Sequence, residues 1–119
     1  MAITFFRPDL LAVRQRLTEY EVNVGAVTKL IARGAPIAEI RTAYKRLRLE
    51  IKIAYADATR RADDLTEAER VYWQPPITDA AGQLLASAEN DDTGRIRESV
   101  SETHVAFVDA LATIDRALR

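Results

Sequence analysis

Residues 8–58 run PDLLAVRQRLTEYEVNVGAVTKLIARGAPIAEIRTAYKRLRLEIKIAYADA, and the architecture follows from this stretch. Apolar side chains recur at Leu10, Val13, Leu17, Tyr20, Val24, Val27 and Ile31, then at Ile37, Ile40, Tyr44, Leu47, Ile51, Ala54 and Ala58, with spacings of three and four in alternation. An α-helix turns once in about 3.6 residues, so each set falls along one side of a helix as a heptad seam. Between the sets stands Arg33-Gly34-Ala35-Pro36. Glycine adopts the left-handed conformation that closes a helix, and the fixed φ of proline suits the start of the next. Two matched seams joined by so short a turn predict an antiparallel helical hairpin.

If the turn centres on Gly34, Val24 meets Tyr44, Leu17 meets Ile51 and Tyr20 lies near Leu47. Gly25, which costs about 1 kcal/mol in a helix interior, then makes room for Tyr44. The first helix starts near Pro8, and the second is expected to run on to about Leu65.

Downstream, Thr66-Glu67-Ala68-Glu69 fits a capping box and opens a short helix carrying Val71, Tyr72 and Trp73, which Pro75-Pro76 should end. Thr78 or Asp79 would cap a third segment through Leu84, Leu85 and Ala88. Asn90-Asp91-Asp92-Thr93-Gly94 reads as a loop, followed from about Arg95 by a last helix with Ile96, Val100, Phe107, Leu111, Ile114 and Leu118 on its apolar stripe and Val108 alongside. Ile3, Phe5 and Phe6 are expected to fold back over one end. The predicted fold is all-α: an antiparallel hairpin packed with a long C-terminal helix and one or two short helices, a three- to four-helix bundle. The 119 residues suffice for one hydrophobic core and are too few for two, so a single domain over 1–119 is expected.

Composition removes several classes of function. With 48% hydrophobic and 29% charged residues the chain reads as globular rather than disordered or collagenous. No apolar run approaches the roughly 18 residues of a membrane-spanning helix. MAITFFRPDL lacks the basic and apolar regions of an export signal, so a cytoplasmic location is expected. Zero cysteines and one histidine exclude thiolate chemistry, disulfides and metal sites built on several imidazoles. His104 has its nearest acidic sequence neighbour at Glu102, on another side of the helix, and reads as a partly buried helix residue. Ser87, Ser99 and Ser101 have no evident base, and no phosphate loop, dinucleotide fingerprint or nucleophile elbow occurs. No cofactor, metal or catalytic residue is expected. The excess of arginine over lysine, fourteen to three, suggests a GC-rich bacterial or phage gene.

Charge is balanced overall but divided along the chain. Residues 1–62 carry twelve basic and six acidic groups, net +6, and residues 63–119 carry five and twelve, net −7. The halves suit one another within one molecule, or between two. On the second helix Arg41, Lys45, Arg48 and Lys52 fall within about 60° of one another as a basic stripe. Leu49 and Ile53 point nearly opposite the seam, with Ala56 close by, giving this helix a second apolar face. That face is either covered by the C-terminal helices or left for another chain. Glu98, Glu102 and Asp109 form an acidic line on the last helix. Tyr72-Trp73, before the rigid Gln74-Pro75-Pro76, plugs the bundle end or anchors an interface.

These features favour a non-enzymatic protein–protein interaction module, an adaptor, inhibitor or assembly factor, acting on another protein or on itself as a homodimer. Its partner-binding residues would be Arg41, Lys45, Arg48, Leu49, Lys52, Ile53, Tyr72 and Trp73. Two alternatives compete with it: a nucleic-acid-associated protein using the basic stripe, and a small helical enzyme holding an anionic small molecule near Arg41, Arg48 and Glu50.

Overall fold

In a computed structural model, which describes residues 5–85 and 93–119, the two seams become α1 (Arg7–Ala32) and α2 (Ile37–Arg60), followed by α3 (Gln74–Leu85) and α4 (Thr93–Ala117). Among the described residues there is no strand, and the fold is an all-α bundle built around a helical hairpin. At the hairpin turn Gly34 has φ +69°, the one positive φ among the described residues. Its N–H donates to the Ile31 carbonyl (3.1 Å) and that of Ala35 to the Leu30 carbonyl (3.0 Å), satisfying oxygens that a helix end otherwise leaves bare. Pro36 caps α2, its carbonyl accepting from the N–H groups of Glu39 and Ile40.

The register of the hairpin differs from the one centred on Gly34. Asn23 Nδ2 donates to both Glu50 oxygens at 2.9 Å, five residues beyond the Lys45 that a Gly34-centred pairing sets opposite Asn23. The seams do not zip onto one another because α1 packs most extensively on α4, and its buried residues serve a core shared by all the helices. Antiparallel α1 and α4 are joined by the Arg14–Asp115 ion pair, the Tyr20 and Phe107 rings at 5.5 Å, and Arg7 Nη1 donating to the Leu118 carbonyl at 3.1 Å. Gly25 accordingly faces His104 rather than Tyr44: a Cβ there would lie 3.8 Å from His104 Nε2.

Four-cornered packing follows. α1 and α3 each lie against both α2 and α4, which places α2 and α4 at opposite corners of a body measuring 51 × 29 × 18 Å. Leu17, Val24, Ile51, Trp73, Ile77, Leu84, Phe107 and Ile114 are fully buried between them. Thr103, also buried, fills the gap in the α4 stripe between Val100 and Phe107, its hydroxyl donating to the Ser99 carbonyl at 2.7 Å.

Several expectations are corrected. α2 stops at Arg60 instead of Leu65: residues 61–64 form a turn, held by Arg61 bonding back to Asp57, that lets Leu65 enter the core. Pro75-Pro76 do not end the helix that begins at Glu67. A π-turn at Glu69–Trp73 intervenes, with the Gln74 N–H bonded to the Glu69 carbonyl, and the prolines occupy the first turn of α3. Widening the backbone there moves carbonyls away from the proline rings, and first-turn positions need no intrahelical N–H. Thr78 therefore lies inside α3, donating to the Gln74 carbonyl, and neither it nor Asp79 caps a helix. Val108 faces outward from α4, away from the stripe. Phe5 packs edge-on against Tyr72 (5.2 Å) while Phe6 is exposed. Ile3 and the expected loop at residues 90–92 lie outside the described residues, and Thr93 and Gly94 already belong to α4.

Candidate functional site on the outer face of α2

The core side of α2 is formed by Ile40, Tyr44, Leu47, Ile51, Ala54 and Ala58, all buried. At 100° per residue Leu49 stands directly opposite this line and Ile53 about 40° from it. Neither α3 nor α4 covers them: Leu49 is 58% exposed and Ile53 61%. Ala56, Lys45 and Lys52 are exposed beside them, with Arg46 and Arg60 on the other flank. The outer face is thus an aliphatic strip with cations on both sides.

The basic stripe divides into two parts. Arg48 is half-buried: its Nε donates to the Leu84 carbonyl at 2.8 Å, and its guanidinium lies 6.0 Å from the Tyr44 ring centre. It therefore ties α2 to the last described turn of α3. Arg41 is likewise half-buried and engaged. Among the described residues Lys45, Arg46 and Lys52 form no ion pair. An open groove of about 440 Å³ between α2 and α3 is lined by Lys45, Arg48, Leu49, Lys52 and Leu85. A second, of about 610 Å³ between α1 and α2, includes Arg16, Tyr20, Ile53, Asp57 and Arg60. Ile53 and Leu49 form the ridge between the two.

Where α1 and the end of α2 meet the π-turn, the charged groups are consumed internally. Glu69, only 6% exposed, accepts from Arg16 Nη1 (3.0 Å), Arg61 Nη2 (3.3 Å) and the Thr66 N–H (3.1 Å), while the Thr66 hydroxyl accepts from the Glu69 N–H (3.1 Å). The capping box expected at Thr66–Glu69 is therefore closed, with two arginines added. Burial pushes the Glu69 carboxyl up, but the Thr66 N–H, Arg16 and Arg61 outweigh it and hold the group below the usual carboxylate range. Asp57 is also held low, chiefly by its hydrogen bond from Arg60 and, against a desolvation cost, by Arg61. Arg16 covers Trp73 with its guanidinium 4.0 Å from the ring centre. Trp73 is fully buried and Tyr72 half-buried under Phe5, so neither stands beside Leu49 and Ile53.

On the opposite corner, α4 presents Val105 (55% exposed) and Val108 (46%) among exposed Glu98, Glu102 and Asp109. Among the described residues those three carboxylates form no ion pair. A groove of about 250 Å³ continues this face toward α3, lined in part by Val71, Tyr72, Asp79 and Asp109.

The polar groups considered for catalysis do not converge. Arg41 and Arg48 lie on the α3 flank of α2, and Glu50 lies on the other flank, bonded to Asn23. His104 Nε2 is 2.9 Å from Glu21 Oε1 across the α1–α4 seam, a partner that its sequence neighbours do not reveal. Among the described residues no cluster of three or more metal-type ligands occurs, and no helix is long and apolar enough to cross a membrane. No family model, curated protein or solved structure matches the chain.

Proposed function

We propose that the protein is an interaction module of the cytoplasm, an adaptor, inhibitor or assembly factor, that binds a protein helix along the outer face of α2. One observation carries this reading: Leu49 and Ile53, one turn apart, remain more than half exposed on the side of α2 opposite the core. Adjacent aliphatic side chains rimmed by cations form the kind of surface that loses water on association, while the rim selects an acidic partner. Exposed ion pairs contribute only about 0–1 kcal/mol each, so the aliphatic ridge supplies the affinity and the lysines the orientation. Two of the four stripe cations are engaged within the molecule, which leaves the nucleic-acid alternative fewer phosphate contacts.

The test places a photo-crosslinking residue at Leu49, with the same residue at exposed Gln15 of α1 as control. A discrete adduct is expected at Leu49 and not at Gln15, lost when Ile53 is changed to Asp, with helical circular dichroism unchanged. An adduct of twice the chain's mass identifies a second copy, and one of another mass a different protein. No adduct above the control overturns the proposal.

A further inference from the structure

We infer that the partner of the α2 face is the α4 face of a second copy, and that the chains associate head to tail. The inference rests on the interaction reading above and names its occupant. The two faces match in chemistry. α2 presents Leu49 and Ile53 with Lys45, Arg46 and Lys52, and α4 presents Val105 and Val108 with Glu98, Glu102 and Asp109. They also match in extent: Lys45 to Ala56 and Glu98 to Asp109 each span about 16 Å of helix axis at roughly 1.5 Å per residue. Between Glu98 and Asp109 there is no lysine or arginine. The one carboxylate in the α2 stretch, Glu50, is turned to Asn23. Three cations on one face and three carboxylates on the other are thus left without an ionic partner among the described residues, each set around an exposed aliphatic pair.

Placement decides the symmetry. Because α2 and α4 occupy opposite corners, the two faces of one molecule point away from each other and cannot both engage the same neighbour. Pairing α2 with α4 is therefore heterologous, and it continues into a ring or an open row in place of a closed two-fold dimer. Contact between like faces is opposed by charge, α2 on α2 and α4 on α4 alike, which removes the isologous alternatives.

The experiment is a measurement of mass by light scattering and sedimentation on the intact chain from micromolar to millimolar concentration. The mass is expected to rise beyond that of a dimer and to fall with added salt. Lys45→Glu with Lys52→Glu, and separately Glu98→Lys with Glu102→Lys, should each weaken association by about tenfold or more. An equimolar mixture of the two variants should associate again, since each altered face then meets its complement. A wild-type chain that stays monomeric throughout overturns the inference, and the Leu49 adduct then decides independently whether the α2 face binds another protein. Association of the wild type without rescue in the mixture overturns the α2–α4 pairing. Should a charge swap unfold the chain, Leu49→Asp and Val105→Asp are read in the same way, each expected to be monomeric.

Discussion

Arg33–Pro36 and Glu69–Pro76 are both marked by proline, yet the chain reverses at the first and stays helical through the second. At the first, glycine supplies a left-handed residue and two carbonyls are satisfied by amides beyond the helix, so α1 closes before Pro36 is reached. At the second no glycine is present, and the hydrogen-bond frame slips by one residue ahead of the prolines. Proline removes a donor and crowds the carbonyl four residues back. Whether that stops a helix depends on whether the preceding turn can widen, and here Glu69 and Trp73 pin the widened turn to α1 and to the end of α2.

The largest effect expected from breaking this contrast is at Trp73. Trp73→Ala removes the fully buried ring beneath Arg16 and should cost about 3–5 kcal/mol in urea unfolding. A loss below about 1 kcal/mol would show that the π-turn does not depend on it. Glu69→Gln comes next, at about 2 kcal/mol, the figure being moderated because Arg16 and Arg61 are partly exposed. Its pH dependence sharpens the point. The folded carboxyl titrates below its unfolded counterpart, so its contribution is fully present above the unfolded value of about 4.3 and is lost as pH falls through the folded value. The acid limb of a stability profile should therefore be shallower in Glu69→Gln than in the wild type, with Asp57 supplying part of what remains. Superimposable limbs would assign the acid sensitivity elsewhere.

Gly34→Ala forces φ +69° on a residue with a Cβ and should cost about 1–2 kcal/mol, although the added methyl meets no neighbour. Gly25→Ala, where the backbone is ordinary α-helix and the nearest atom is 3.8 Å away, serves as the control and should be neutral or stabilising. The smallest change is expected from Pro75→Ala, under about 1 kcal/mol, since this first-turn proline is exposed, whereas Pro76 is buried. Its value lies in the frame. If Pro75 imposes the slip, amide exchange and NMR contacts should show the Gln74 N–H moving from the Glu69 to the Arg70 carbonyl. An unchanged pattern would show that Pro75 does not impose it.

What the sequence reveals and what it hides divides along the same line. The seam positions Leu10, Val13, Leu17, Val24 and Val27, and every one from Ile40 to Ala58, are buried where the three-four spacing puts them, because periodicity is a local property. The Gly34 cap is legible for the same reason. The register of the hairpin, the π-turn and the Glu21–His104 contact are not, since each depends on a partner far along the chain; nor is the end of α2 at Arg60, where the turn answers to Leu65 entering a core shared by all the helices. Likewise the second apolar face of α2 can be read from helix angles alone. That it stays uncovered follows only from where α3 and α4 settle, as does the withdrawal of Arg48 to the Leu84 carbonyl.

The preference of α1 for α4 over its hairpin neighbour bears on the order of events during synthesis. α1 leaves the ribosome well before α4, the surface it is built to meet. Until that surface emerges, a half-made product exposes an oily flank that α2 shields only in part. Premature termination upstream of Phe107 would leave this flank permanently bare, giving an aggregation-prone fragment suited to capture by chaperones or proteases.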